Sequence, residues 1–210
     1  MKMFKLIYKI VTILLAGVLL TTCDKSIGEI RIDQESKDYC LFAEDSYWIY
    51  QDSTTLAIDS VVIDNPIGYR FSRSSGNGYK CETYFIHTSS YFQNNILSFE
   101  SRLTTSHADP DILKPCLLFG ENGISYRNGE IGENFPHSRA NTIILVEKKN
   151  NYSINGVSYS NVKVFEYNYL GIKRIYYWAK YVGLIREEIY ENDSVIVKNL
   201  VKYHVKPYNK

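Results

Sequence analysis

The chain has 210 residues, with 24 Lys and Arg against 23 Asp and Glu and a formal net charge of +1. That balance excludes the strongly basic surface that nucleic acid requires, and the length suits one domain with a real core. Nineteen tyrosines and nine phenylalanines give an aromatic share of 14%, a composition that favours pleated surfaces where the ring packs and the hydroxyl reaches water.

Lys2, Lys5 and Lys9 precede an apolar stretch of 11 residues from Ile10 to Leu20. A helix needs about 20 residues to cross a hydrocarbon core, so this layout reads as a cleaved export signal over residues 1–22. Leu20-Thr21-Thr22-Cys23 resembles the lipobox of bacterial lipoproteins, with Thr22 standing where Gly, Ala or Ser is usual. Cys23 is therefore the expected lipid attachment site, and several acyl chains on it would hold the protein durably at a membrane. Cleavage would leave 21 basic against 23 acidic residues, a balance of −2. Residues 23–38 are polar and charged, and they read as a flexible tether of roughly 20 Å. Residues 39–210 are expected to form a single β domain.

From Tyr47 onward, short alternating runs are separated by turn residues. Tyr47 to Asp52 and Leu56 to Asp64 read as strands that end at Asn65-Pro66. Lys80 to Thr88 and Asn95 to Thr104 alternate again, with a turn at Arg73 to Gly78 and a loop at His107 to Pro115. Gly123 to Arg127 and Thr142 to Lys149 flank an irregular segment, and a short helix has room within Phe92 to Leu97 or Ile131 to Arg139. Asn155-Gly156 predicts a hairpin, because both residues tolerate the positive φ of a two-residue turn. Val162 to Tyr169, Arg174 to Lys180, Leu184 to Tyr190 and Val195 to Val205 complete the series. In the last run the period of two puts Val195, Val197, Val201, Tyr203 and Val205 on one face, with Lys198, Lys202, His204 and Lys206 on the wet one. The expected fold is all-β, a single antiparallel curved sheet or partly open barrel, preceded by a signal-peptide helix and the tether.

Cys40, Cys81 and Cys116 remain beside Cys23. An exported chain meets an oxidising compartment, so one disulfide with one thiol left over is expected. Cys40 with Cys116 is the preferred pair because each opens a similar apolar run, Cys40-Leu41-Phe42 and Cys116-Leu117-Leu118-Phe119. Three buried thiols acting as small hydrophobes are the alternative.

Three segments carry a resemblance: Tyr176-Tyr177-Trp178-Ala179-Lys180-Tyr181-Val182-Gly183-Leu184-Ile185-Arg186, Tyr47-Trp48-Ile49-Tyr50 and Asn155 to Val162. Together they resemble small lipoproteins of Bacteroidota, a family with no assigned activity. The resemblance implies a lipid-anchored envelope protein, and the comparable curved sheets of some envelope carriers imply an apolar concave side. Asp52-Ser53-Thr54, Asp59-Ser60-Val61 and Asp193-Ser194-Val195 resemble the O-glycosylation acceptor of exported proteins in that lineage, which makes Ser53, Ser60 and Ser194 candidates.

The remaining chemistry is sparse. His107-Ala108-Asp109-Pro110-Asp111 mixes a histidine with two carboxylates, but Asp-Pro-Asp is ordinary turn chemistry, and no metal site is assigned. No nucleophile elbow, His-Glu-x-x-His, phosphate loop or paired-cysteine motif is present, so neither an enzyme nor a cofactor is expected. Trp48, Tyr50, Phe165, Tyr167, Tyr176 and Trp178 are the candidates for lining a ligand groove, with core packing as the competing role. The leading expectation is a non-catalytic binding or carrier module of the cell envelope at the outer membrane, with an apolar or glycan ligand. A structural or assembly subunit with an envelope protein partner is the alternative, and a glycan hydrolase is third. Glu187 and Glu188 point to opposite faces of one strand and cannot serve together as its carboxylate pair.

Overall fold

Alternating β-branched and aromatic residues commit most of the chain to strands. The computed structural model describes residues 28–73, 79–92, 95–105, 115–119, 123–127, 129–138, 141–169, 171–192 and 194–208. Strands β1 (Glu29–Ile30) and β2 (Tyr47–Asp52) flank a helix, α1 (Gln34–Cys40). β3 (Ile58–Ile63), β4 (Gly68–Arg73), β5 (Lys80–Phe92), β6 (Asn95–Thr105) and β7 (Pro115–Phe119) follow. Next come β8 (Gly123–Arg127), β9 (Asn134–Ser138) and the long pair β10 (Asn141–Ile154) and β11 (Val157–Tyr169). β12 (Ile172–Ala179), β13 (Gly183–Glu191) and β14 (Ser194–His204) close the chain order.

All fourteen strands join one sheet in the order β8-β7-β6-β5-β3-β2-β14-β13-β12-β11-β10-β9, with β1 and β4 attached to β5. The sheet is antiparallel as expected except at one edge of β5, where β1 pairs in parallel and makes it mixed. It is open, since β8 and β9 end the path without pairing to each other. Register shifts between Leu145 and Glu147, Tyr177 and Trp178, and Leu200 and Lys202 add the local twist that curls it. The curl brings Tyr126 of β8 onto Phe165 of β11 and Trp178 of β12, with ring centroids 5.2 and 5.8 Å away. A hydrogen-bonded closure is thus replaced by an aromatic one. Tyr39 of α1 stacks on the same Tyr126 at 5.4 Å, so the helix plugs the gap between the two ends of the sheet. Lys163 of β11 is buried beneath this contact, its Nζ 4.7 Å from the Tyr39 centroid and 3.2 Å from the Tyr126 hydroxyl. Its charge is met by Glu35 at 2.9 Å.

Three expectations are corrected. The polar segment before residue 39 belongs to the folded body from Gly28 onward. Lys80 donates its N–H to the Gly28 carbonyl, Ile32 is buried and donates to Glu82, and Asp33 caps α1 by accepting the Ser36 N–H at 2.7 Å. Tertiary partners order a stretch whose composition alone reads as tether. The segments offered as helical, Phe92 to Leu97 and Ile131 to Arg139, instead hold strand residues of β5, β6 and β9. In β14 the predicted face is broken: Leu200 is buried while Val195, Val201 and Tyr203 are exposed. The register shift at Val201 interrupts the alternation, and Val195 lies at the sheet's rim.

Candidate functional site

Among the described residues, a cleft of about 460 Å³ lies where α1, the β12–β13 turn and the C-terminal segment meet. That volume suits a small ligand. α1 contributes Gln34, Lys37 and Asp38, whose spacing of three and four puts them on one helical face, and Leu41 follows at the helix C-cap. Phe42, Tyr84, Tyr181 at the β12–β13 turn, and Val205, Pro207 and Tyr208 of the C-terminal segment complete the lining.

The walls are fixed by buried polar contacts. Trp48 donates its Nε1 hydrogen to the Val182 carbonyl at 2.6 Å, and Tyr50 donates its hydroxyl to the Leu184 carbonyl at 2.9 Å. Gly183 has φ +94°, and a Cβ there would come within 3.2 Å of Phe42 and 3.3 Å of Trp48. Only glycine allows the turn to seat this closely. Tyr181 donates its N–H to the Asp38 carbonyl at 2.8 Å, which ties the turn to the helix.

The charged groups are already matched. Lys37 lies 3.2 Å from Glu82, and Lys180 lies 3.3 Å from Asp38, which also accepts from Gln34 at 2.7 Å. Burial raises the Glu82 pKa, but the Tyr84 hydroxyl, the Ile32 N–H and the Lys37 ammonium outweigh it and leave a net lowering. Glu82 therefore stays ionised at neutral pH. Burial first, then the bond to Glu82, pushes the Tyr84 hydroxyl well up, so it remains a donor.

A second polar set crosses the inner face of β12, β13, β14 and β3. Arg174 pairs with Glu187 at 3.0 Å and Lys198 with Asp59 at 3.1 Å, giving charges of alternating sign along the register. Glu188 points to the other face, where it accepts from the hydroxyls of Tyr177 and Tyr190 and from Arg186. The two neighbouring glutamates are thus held on opposite sides, each with its own partners.

The six candidate groove aromatics do not line the cleft. Trp48, Tyr50, Phe165, Tyr167, Tyr176 and Trp178 are all buried in the core. Phe165 and Tyr176 are directly opposite across β11 and β12, and the Tyr167 and Tyr176 rings lie 6.5 Å apart. Their role at the cleft is indirect, through the bonds of Trp48 and Tyr50 to the turn. Sequence reasoning missed Tyr181 and Tyr208, although an aromatic residue in a tight turn ending in glycine was a visible signal.

Ser53 is exposed in the β2–β3 turn, where its oxygen accepts from Asn199 at 2.8 Å. Ser60 is half-buried within β3, and Ser194 is exposed and donates to the Glu191 carbonyl. Cys40 and Cys81 are buried. The Cys116 side chain lies outside the described residues, and with it the expected bridge from Cys40. Cys23 and the His107 to Asp111 cluster lie outside them too. Among the described residues, no group of three or more His, Cys, Asp or Glu side chains is placed to hold a metal ion, and no helix is long and apolar enough to cross a membrane.

A crystal structure of a candidate lipoprotein from Parabacteroides distasonis is similar to this chain with a TM-score of 0.40 and 10% identity, covering 79% of this chain and 99% of that one. No family model and no curated protein matches the chain.

Proposed function

We propose that this protein is a lipoprotein of the cell envelope, lipidated at Cys23 after loss of residues 1–22 and held at the outer membrane. Its β domain binds a ligand in the α1 cleft without transforming it. The observation that carries the binding reading is the cleft's make-up: aromatic and aliphatic walls, a pinned turn, and ionic groups that are already paired. Such a site has the preformed character of a binding pocket.

The anchor reading rests on Lys2, Lys5, Lys9, the apolar run and Leu20 to Cys23. Five Cα steps separate Cys23 from Gly28, a reach of at most about 18 Å. β1 and α1 would then lie at the membrane-proximal end, with the cleft beside them.

An assembly role has one specific observation in its favour. Leu56, Ile58, Tyr91, Ile96 and Leu97 are all exposed along the opposite rim of the sheet. β5 runs from Lys80 beside β1 to Phe92 at that rim, a span of about 40 Å at the usual rise per residue. Such a patch suits a protein partner.

Mass spectrometry of protein extracted gently from its native membrane separates the two. The binding reading expects a co-purifying small molecule that disappears in a Tyr208→Ala variant. A stoichiometric protein that disappears in an Ile96→Asp variant, with no small molecule, would replace it by the assembly reading.

A further inference from the structure

Among the described residues, six non-glycine positions have positive φ, and four of them are Asp or Asn, which tolerate that conformation. Leu56 and Tyr181 are the exceptions. Tyr181 has φ +62° in the β12–β13 turn, yet the residue is 61% exposed and its ring meets the Lys180 ammonium, 5.0 Å from the centroid, in place of core packing, which leaves the other ring face for a ligand. A turn that needs this geometry is ordinarily filled by Gly or Asn. Backbone strain at a bulky, exposed residue that borders a cleft is the pattern of a functional position.

The surroundings narrow what Tyr181 could meet. Lys180 and Asp38 neutralise each other beside it, and Lys37 is paired with the buried Glu82. A charged ligand would have to break an ion pair to gain one. An acyl chain would bury Gln34, Lys37, Asp38 and the tyrosine hydroxyls against hydrocarbon, leaving polar groups without water. An uncharged, hydroxyl-rich ring avoids both costs. Its apolar face can lie on an aromatic ring, and its hydroxyls can use the remaining capacity of Gln34, Asp38 and Lys37.

We propose that Tyr181 is the platform on which the α1 cleft stacks the ring of an uncharged sugar. This rests on the reading of the cleft as a binding site and names its ligand class. Strain at Tyr181 is retained because the turn fixes the ring at the mouth of the cleft, between α1 and the C-terminal segment.

The test uses the full chain extracted in a detergent without a sugar head group. Cellohexaose, maltohexaose and mannohexaose at millimolar concentration are titrated by calorimetry, with Tm recorded for each variant. Saturable binding of one of them is expected, lost at least tenfold in Tyr181→Asn and kept within about threefold in Tyr181→Phe. Tyr181→Asn should also melt about 2 to 4 °C higher, as the left-handed conformation no longer carries a bulky side chain. Binding unaffected by Tyr181→Asn, or a lowered Tm in that variant, would overturn the role of Tyr181. Retention of a phospholipid but no sugar would overturn the ligand class while leaving the binding reading intact. Absence of any ligand would overturn both.

Discussion

At the residue scale the structure repeatedly buries charge beside tyrosine. Glu188 is the clearest case, accepting two tyrosine hydroxyls and the Arg186 guanidinium while largely shielded from water. Burial raises its pKa, but the bonds from Tyr190 and Arg186 outweigh that and leave it lowered. A carboxyl with a lowered folded-state pKa adds stability above its unfolded pKa of about 4.3. That stability is lost as pH falls through the folded value. Glu188→Gln should therefore be less stable than the parent at pH 7 by about 1 to 3 kcal/mol, with the gap narrowing below pH 4. Urea unfolding from pH 7 to pH 3 measures it, and a gap that stays constant with pH would show that the ionised form is not what the tyrosines favour. The frequency of tyrosine was legible in composition, and pairing with charge is one of its uses, at Tyr84, Tyr126, Tyr177 and Tyr190. Which tyrosines meet which charges was not legible, because Tyr177 and Glu188 become neighbours only through the β12–β13 register.

At the element scale, local chemistry announced some pieces and hid others. The Asn155-Gly156 turn and the strand Tyr47 to Asp52 occur as read, since positive φ and period-two alternation are written in adjacent residues. α1 was hidden: seven residues make a marginal helix on propensity alone, and Tyr39, stacked on Tyr126, holds it from a distance. β4, β7 and β9 were likewise absent from the sequence reading, each only five or six residues long. Asp33→Ala removes the helix cap and should cost about 1 kcal/mol in urea unfolding. An unchanged midpoint would mean the tertiary contacts alone set the helix. Tyr126→Ala removes the ring shared by α1, β8, β11 and β12, and a cavity of that size should cost about 3 to 5 kcal/mol. A loss under 1 kcal/mol would show that the curled sheet keeps its shape without the aromatic closure.

At the scale of the whole molecule, the two ends of the sheet differ. The end near Gly28 carries α1 and the cleft, whereas the far rim carries Leu56, Ile58 and Ile96 exposed to water. The all-β class and the open curvature were legible because alternation and turn spacing recur along the chain. The cleft was not, since its walls come from residues 34–42, Tyr84, Tyr181 and residues 205–208, four stretches that no local pattern links. Its aromatic candidates fell in the core for the same reason: a period-two pattern identifies a face but not which face encloses a cavity. The proposed orientation, with cleft towards the membrane and apolar rim away, depends on the anchor at Cys23. The most direct measurement is the intact mass of the N-terminal peptide from protein extracted from its native membrane. The account predicts a peptide that begins at Cys23 and carries several acyl chains, and that is absent from membranes when Cys23 is replaced by Ala. An unacylated Cys23, or an unchanged membrane fraction for Cys23→Ala, would contradict it.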